Sequence, residues 1–386
     1  MAHRMRRKAR RGFTLVELLV VISIIAVLMG LAIPAIQMAQ RYARQMECAN
    51  NMRNVALAVH GYELTHRVYP GYSNVLLLNN GKTYSDPLTG KKQGVSWVIP
   101  ILANLDQPVL DLAWRTPVGG QSSGGQGAGG QGAGGQGAQT LIANQRVELK
   151  ILTCPANPPT VAGGTPLCYV ANCGMKDGPG TPATGGNKGM PRDWPDNGVF
   201  FDLYTGNSRI VSSQNGQSSS ALPQVVMTTA FISRGHGASF TALISENVDA
   251  GEYIDNTEAQ VGMVWDASGT VDISQNPPTL KPPDDNMRIN VGVGNSELQG
   301  GRVQSGGTDS SSGSSQSTVF ARPSSFHVGG VNMAFCDGKV RFVSDSIDYY
   351  VYCLMMASNG SRVRKPGTNT VLPNFNRTLN ESWLSP

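Results

Sequence analysis

The chain has 386 residues, only 15% of them charged, with 46 glycines and a formal net charge of +5. Arg4, Arg6, Arg7, Lys8, Arg10 and Arg11 all precede Gly12, and without them 25 basic residues face 26 acidic ones. The positive charge is local, which excludes a general phosphate-binding surface and, with it, a nucleic-acid partner.

From Phe13 to Ile33 the chain is almost wholly apolar for 21 residues, enough to cross the hydrocarbon core as a helix. The cationic segment 1–12 is expected to stay in the cytoplasm. An ordinary secretory signal has a shorter apolar stretch, with a small-residue cleavage site after it. Here the candidate junction, Gly12-Phe13, comes before the stretch. Glu17 is the only charge in the run, and an ionised carboxylate in lipid is costly without a partner. A cut after Gly12 creates an amine on Phe13 that can neutralise Glu17 of a neighbouring subunit.

The segment Gly12-Phe13-Thr14-Leu15-Val16-Glu17-Leu18-Leu19-Val20 resembles the prepilin signal of type IV pilins and type II secretion pseudopilins. The resemblance implies cleavage after Gly12 by prepilin peptidase, N-methylation of Phe13 and a required glutamate at Glu17. Pro34 falls where many pilins carry a helix-kinking proline. The implied partners are other pilin-like subunits, an assembly platform and membrane lipid. The implied location is a single pass of the inner membrane, with the N-terminus cytoplasmic and the head periplasmic or on the cell surface.

Beyond Pro34, apolar residues recur at steps of three and four: Ala35, Met38, Tyr42, Met46, Ala49, Met52, Ala56 and Val59. The spacing predicts one long helix from about Thr14 to about His66, bent at Pro34, whose second half packs on a head. The organisation is thus a leader 1–12, a transmembrane and assembly helix 13–34, an amphipathic stem 35–66 and a head 67–386. Tyr69-Pro70-Gly71 ends the helix, and Trp97 to Leu112 reads as mixed helix and loop. Gly-Gly-Gln-Gly-Ala then repeats three times in tandem. Such glycine density buries too little apolar surface to offset ordering entropy, so 119–138 is expected to be a flexible loop. Residues 305–318 and 212–220 read the same way.

Strands are predicted at Val147–Leu152, Val199–Leu203, Val225–Ile232, Thr241–Ser245 and Val261–Trp265. Asp337-Gly338, between Val331–Cys336 and Lys339–Val343, is a strong hairpin signal. A two-residue turn would set Phe335 opposite Val340 and Met333 opposite Phe342, with Val331, Met333, Phe335, Val340 and Phe342 on one core face. The fold class is α+β, a long N-terminal helix packed on a sheet-rich antiparallel head.

His327 and Asp337 form a His-x9-Asp-Gly pattern. With Cys48-Ala49-Asn50-Asn51-Met52-Arg53, Leu152-Thr153-Cys154-Pro155, Tyr169 to Gly174, Ile244-Ser245-Glu246-Asn247 and Leu354 to Gly360, it resembles a large family of prepilin-like proteins of unknown function, abundant in planctomycetes. A structural role suits the pattern best: Asp337 as a turn residue and His327 pinning the start of a strand. Six cysteines and an export signal permit disulfides, drawn from Cys154, Cys168, Cys173, Cys336 and Cys353, with the connectivity open. The absence of C-x-x-C spacing argues against zinc. Glu246, Asp249, Glu252 and Asp255 carry oxygen donors suited to Ca²⁺, but no EF-hand pattern, and solvated loop acids are the plainer reading. His236, between two glycines, has no evident acid partner. No Gly-x-Ser-x-Gly elbow, Walker A loop or dinucleotide fingerprint is present, so no enzyme is expected. The reading is a pseudopilin-like structural subunit of a type IV pilus or type II secretion-like system. A surface module binding a solute or polysaccharide is its rival, and a hydrolase a more distant one.

Overall fold

The computed structural model describes residues 15–85, 92–117, 146–158, 164–176, 193–204, 225–291 and 320–384. The glycine- and serine-rich segments 119–138, 212–220 and 305–318 lie outside them. The chain divides into Met1–Met46 and Glu47–Pro386.

Helix α1 spans Leu15–His66 and continues past Pro34. It closes where Arg67 takes a left-handed φ of 64°, with its N–H donating to Glu63 O at 2.7 Å. Burial begins only at Cys48 and continues through Met52, Val55, Ala56, Ala58 and Val59. Met38, Tyr42 and Met46, expected on the buried stripe, are exposed. Their spacing is helical, but among the described residues the burial of α1 begins only at Cys48.

The head is built on a five-stranded sheet ordered β5-β3-β4-β8-β9. Its strands are β3 (Tyr169–Met175), β4 (Ala242–Glu246), β5 (Gly262–Trp265), β8 (Gly330–Phe335) and β9 (Val340–Ser344). Only β3 and β5 run parallel; the other neighbours are antiparallel. Small ribbons β1–β2 (Ser73–Asn74 with Val95–Ser96) and β6–β7 (Val271–Asp272 with Thr279–Leu280) flank it. The further α-helices among the described residues are α2 (Val98–Ile101), α3 (Pro108–Arg115), α4 (Thr229–Arg234), α5 (Glu258–Val261) and α6 (Tyr349–Met356), with short 3-10 turns between elements. The fold is α+β.

Both faces of the sheet are covered. One carries Tyr169, Ala171, Cys173 and Ala334 against Met52, Val55 and Val59 of α1, with Trp97 and Phe200. The other carries Val170, Met263, Trp265, Val331, Met333 and Phe335 against α6, which is buried at every position. Double coverage buries all seven residues of β3, so no polar–apolar alternation marks it. No local pattern therefore marks this central strand. Its Asn172 side chain is satisfied internally, donating to Ala242 O and Met356 O at 2.8 Å each.

Three expected strands are different structures. Val147–Leu152 ends in a single 3-10 turn, Lys150–Leu152. Val225–Ile232 runs into α4, because Thr228 caps a helix by accepting from Phe231 N with its side chain. Val199–Leu203 is buried up to Asp202, but contributes only an isolated bridge from Asp202 to Ser73. Its N–H groups at Val199 and Phe200 instead converge on Asn172 O.

The Asp-Gly hairpin forms with its register displaced by one. Ala334 pairs with Val340, Met333 with Arg341 and Asn332 with Phe342. The loop is Cys336-Asp337-Gly338, three residues long, closed by Phe335 N to Lys339 O at 2.9 Å. Gly338, at φ 81°, holds the left-handed third position. A one-residue slip reverses every side chain of a strand. Val331, Met333 and Phe335 are in the core as expected, whereas Val343 joins them and Phe342 is exposed. Arg341 takes a place on that face, its guanidinium 5.2 Å from the Phe335 ring centroid.

Candidate functional site

Two regions carry the residues singled out by sequence. In the N-terminal unit, Gly12 and Phe13 lie outside the described residues. Glu17 sits in the first turn of α1, where the partial positive charge of the helix end favours a carboxylate. It is the only charged residue from Leu15 to Ile36. Leu15, Leu18, Leu19, Ile22, Leu28 and Leu31 are all exposed. Among the described residues, α1 is the one helix long and apolar enough to cross a membrane.

In the head, the chemistry gathers at one end of β4 and β8. Glu246 is the last residue of β4, and its carboxylate turns toward β8. Its Oε2 accepts from Asn332 N at 2.8 Å, and its Oε1 from Asn332 Nδ2 at 3.0 Å. His327 Nε2 donates to the same Oε1 at 3.2 Å. The side chains of His327 and Glu246 are 5% and 2% exposed, so water does not screen the pair. A local turn presents the imidazole: Ser325 Oγ accepts from His327 N at 3.1 Å and donates to Gly330 O at 2.7 Å. His327 thus stands at the entry to β8 and reaches β4 through a buried carboxylate that the spacing did not identify.

The fourth and fifth members are sulfurs. Cys48 of α1 and Cys154 form a disulfide with Cα atoms 5.2 Å apart. Cys154 Sγ lies 3.5 Å from His327 Nε2. The expected disulfide set is therefore corrected: Cys48 is the missing partner, and Cys168, Cys173, Cys336 and Cys353 stay outside the bond as buried thiols. Their elements explain this. Cys173 is on β3, Cys336 in the hairpin loop and Cys353 inside α6, each held in packed structure, while Cys168 donates to Asn157 O at 3.7 Å. Burial pushes the Cys336 and Cys353 thiols well up, disfavouring the reactive thiolate. Beside the cluster, a cleft lined by Cys154, Cys168, Glu246, Ser324 and Phe326 has room for about one water molecule.

Asp337 is not part of this cluster. It lies at the opposite end of β8, where its Oδ1 accepts from Lys339 N at 3.0 Å. The Asp337-Gly338 turn sits near His60 of α1. The His-x9-Asp-Gly pattern therefore marks the two ends of one strand rather than one site.

The acidic residues offered for Ca²⁺ take separate partners. Asp249 pairs with buried Arg322 at 3.1 Å, and Glu252 accepts from Thr165 Oγ1 at 2.8 Å. Asp255 accepts from Glu252 N at 2.7 Å, and burial raises its carboxyl to about 6. Glu246 faces His327. Each carboxylate is committed to its own network, so they do not form one oxygen cage. His236 is also structural. Its Nδ1 donates to Leu354 O at 3.1 Å and Ala357 O at 3.2 Å, and its Nε2 accepts from Gly360 N at 3.1 Å. Burial holds its pKa below the usual histidine range. The ring clamps the end of α6 to the loop after it.

Cys48, Cys154, Glu246 and His327 are separated by 80 residues or more along the chain, so no local motif could announce them. The resemblance marks the blocks carrying each of them without saying that they meet.

A family model described as a protein of unknown function (DUF1559) matches residues 37–349. A second, described as the prokaryotic N-terminal methylation motif, matches residues 7–33. No curated protein and no solved structure gives a match.

Proposed function

The chain belongs to the DUF1559 family of proteins of unknown function, and on that premise we propose that it is a pseudopilin-like assembly subunit. Its methylation motif makes it prepilin-like, with processing by prepilin peptidase and pilin-like subunits as its general company. The finer reading is that α1 anchors the chain in a membrane and packs against the helices of sibling subunits. The head would then lie outside the cytoplasm. The observation that carries this is the apolar, exposed first half of α1 with one carboxylate at Glu17. Such a surface is stable in lipid or against other apolar helices, and costly in water. In the proposed assembly, Glu17 pairs with the α-amine that cleavage creates on Phe13 of a neighbour, so that opposite charges meet within the hydrocarbon.

The test is intact-mass analysis of the chain from membranes that contain prepilin peptidase. The expected species begins at methylated Phe13; a chain retaining residues 1–12 would sink the reading. Glu17→Ala is expected to be cleaved normally but to lose at least tenfold in cross-linked oligomer. Unchanged oligomer would remove the pairing from the mechanism.

A further inference from the structure

We propose that Cys48, Cys154, Glu246 and His327 form a binding site for one zinc-class divalent cation when the disulfide is reduced. The same two sulfurs would then be closed either by a covalent bond or by a metal.

All four residues are buried, and one donor atom from each lies within 4.8 Å of the others. Two sulfurs, one imidazole nitrogen and one carboxylate oxygen are a donor set that tetrahedral Zn²⁺ accepts. Bond lengths of about 2.0–2.3 Å imply donor–donor edges of roughly 3.3–3.8 Å. His327 Nε2 is 3.5 Å from Cys154 Sγ and 3.2 Å from Glu246 Oε1, which are already edges of that size. The sulfur–sulfur edge has to lengthen, as it does when the bond between them is broken, and the other three edges lie within 4.8 Å. The outer partners are in place too. Asn332 holds both oxygens of Glu246, and the Ser325 turn holds the His327 backbone. Such partners orient metal ligands.

The chemistry balances. Breaking the Sγ–Sγ bond takes two electrons and two protons and gives two thiols. A phosphine reductant supplies the electrons and leaves as its oxide, with oxygen from water. Metal binding then releases the two thiol protons to solvent, and the proton of neutral His327 passes from Nε2 to Nδ1 to free the ligating nitrogen. Reducing surroundings favour the metal-ready dithiol, and oxidising ones the disulfide.

The experiment uses the full chain in detergent micelles, oxidised or reduced with a phosphine, dialysed against Zn²⁺ or Co²⁺ alone. The reduced chain is expected to take up one metal, and the oxidised chain less than a tenth of that. Reduced protein with Co²⁺ should show the intense d–d bands of a tetrahedral site and a thiolate charge-transfer band. His327→Ala and Cys48→Ser should each weaken metal binding at least tenfold, and Asn332→Ala about 10- to 100-fold. Cys168→Ser, next to the cluster, should leave it unchanged. If reduction unfolds the head, Zn²⁺ must restore the native circular dichroism; failure to restore it overturns the proposal. So does equal uptake by oxidised and reduced chain, absence of uptake, or uptake indifferent to His327→Ala.

Discussion

Glu246→Ala tests the head's polar centre most directly. The substitution removes the acceptor of three buried donors: Asn332 N, Asn332 Nδ2 and His327 Nε2. Each desolvated donor that loses its acceptor costs about 1–3 kcal/mol. The alanine also leaves a space beside the disulfide. A small cleft already adjoins it, so water can enter and recover part of the loss. The expected destabilisation is therefore about 3–6 kcal/mol, toward the lower end if water enters. Glu246→Gln should cost less, about 1–2 kcal/mol, because its carbonyl still accepts from Asn332 N and its amide can donate to His327 Nε2 in the other tautomer, while Asn332 Nδ2 loses its acceptor. The assay is urea unfolding of the full chain in detergent micelles, followed by near-ultraviolet circular dichroism, with the slope of free energy against urea checked for constancy. A double-mutant cycle with His327→Ala should show coupling of about 1–3 kcal/mol, since the two groups share one hydrogen bond. A Glu246→Ala loss below about 1 kcal/mol, or coupling near zero, would refute the claim that this network holds β4 to β8.

Two further outcomes are expected. Gly338 has φ 81°, and a Cβ there would meet only His60 atoms, at 3.8 Å or beyond. Gly338→Ala should therefore cost about 1–2 kcal/mol of backbone strain alone, and Gly338→Asn distinctly less, since asparagine tolerates left-handed φ. Equal stability of all three proteins in urea would mean that the three-residue loop is not what sets the register. Asp255 concerns pH: its folded-state pKa of about 6 lies above the ordinary value of 3.8, so the folded chain binds its proton more tightly than the unfolded chain. The stability this contributes is full below about pH 3.8 and is lost as pH rises through about 6. Asp255→Asn should then stabilise by about 2–3 kcal/mol at pH 7.5 and by little at pH 3.5. A gain that does not change with pH would count against burial of an ionised carboxylate there.

What was legible locally and what was not can be separated residue by residue. The helix from Leu15 to His66 was readable because a 3.6-residue period and an unbroken apolar run are properties of neighbouring positions. β4 and β5 were readable as short apolar runs between turn signals. β3 was not, since both of its faces are covered and Asn172, Cys173 and Gly174 lack strand character. At residues 229–234, a threonine cap outweighed β-branched composition and turned an expected strand into a helix. Met38, Tyr42 and Met46 keep a helical period yet are exposed, so period alone did not identify a buried face there.

By itself the sequence determined the apolar N-terminal helix with its single carboxylate at Glu17, and the position of the Asp337-Gly338 hairpin. Both depend on residues within a few positions of one another, where propensity and sterics act directly. Tertiary structure alone decided three things. It paired Cys48 with Cys154, it brought Glu246 to His327, and it chose the three-residue loop that puts Val343 rather than Phe342 in the core. The physical reason is common to all three. A contact between distant residues is fixed by which faces the whole sheet must bury, and that requirement is written across the chain rather than in any one segment of it.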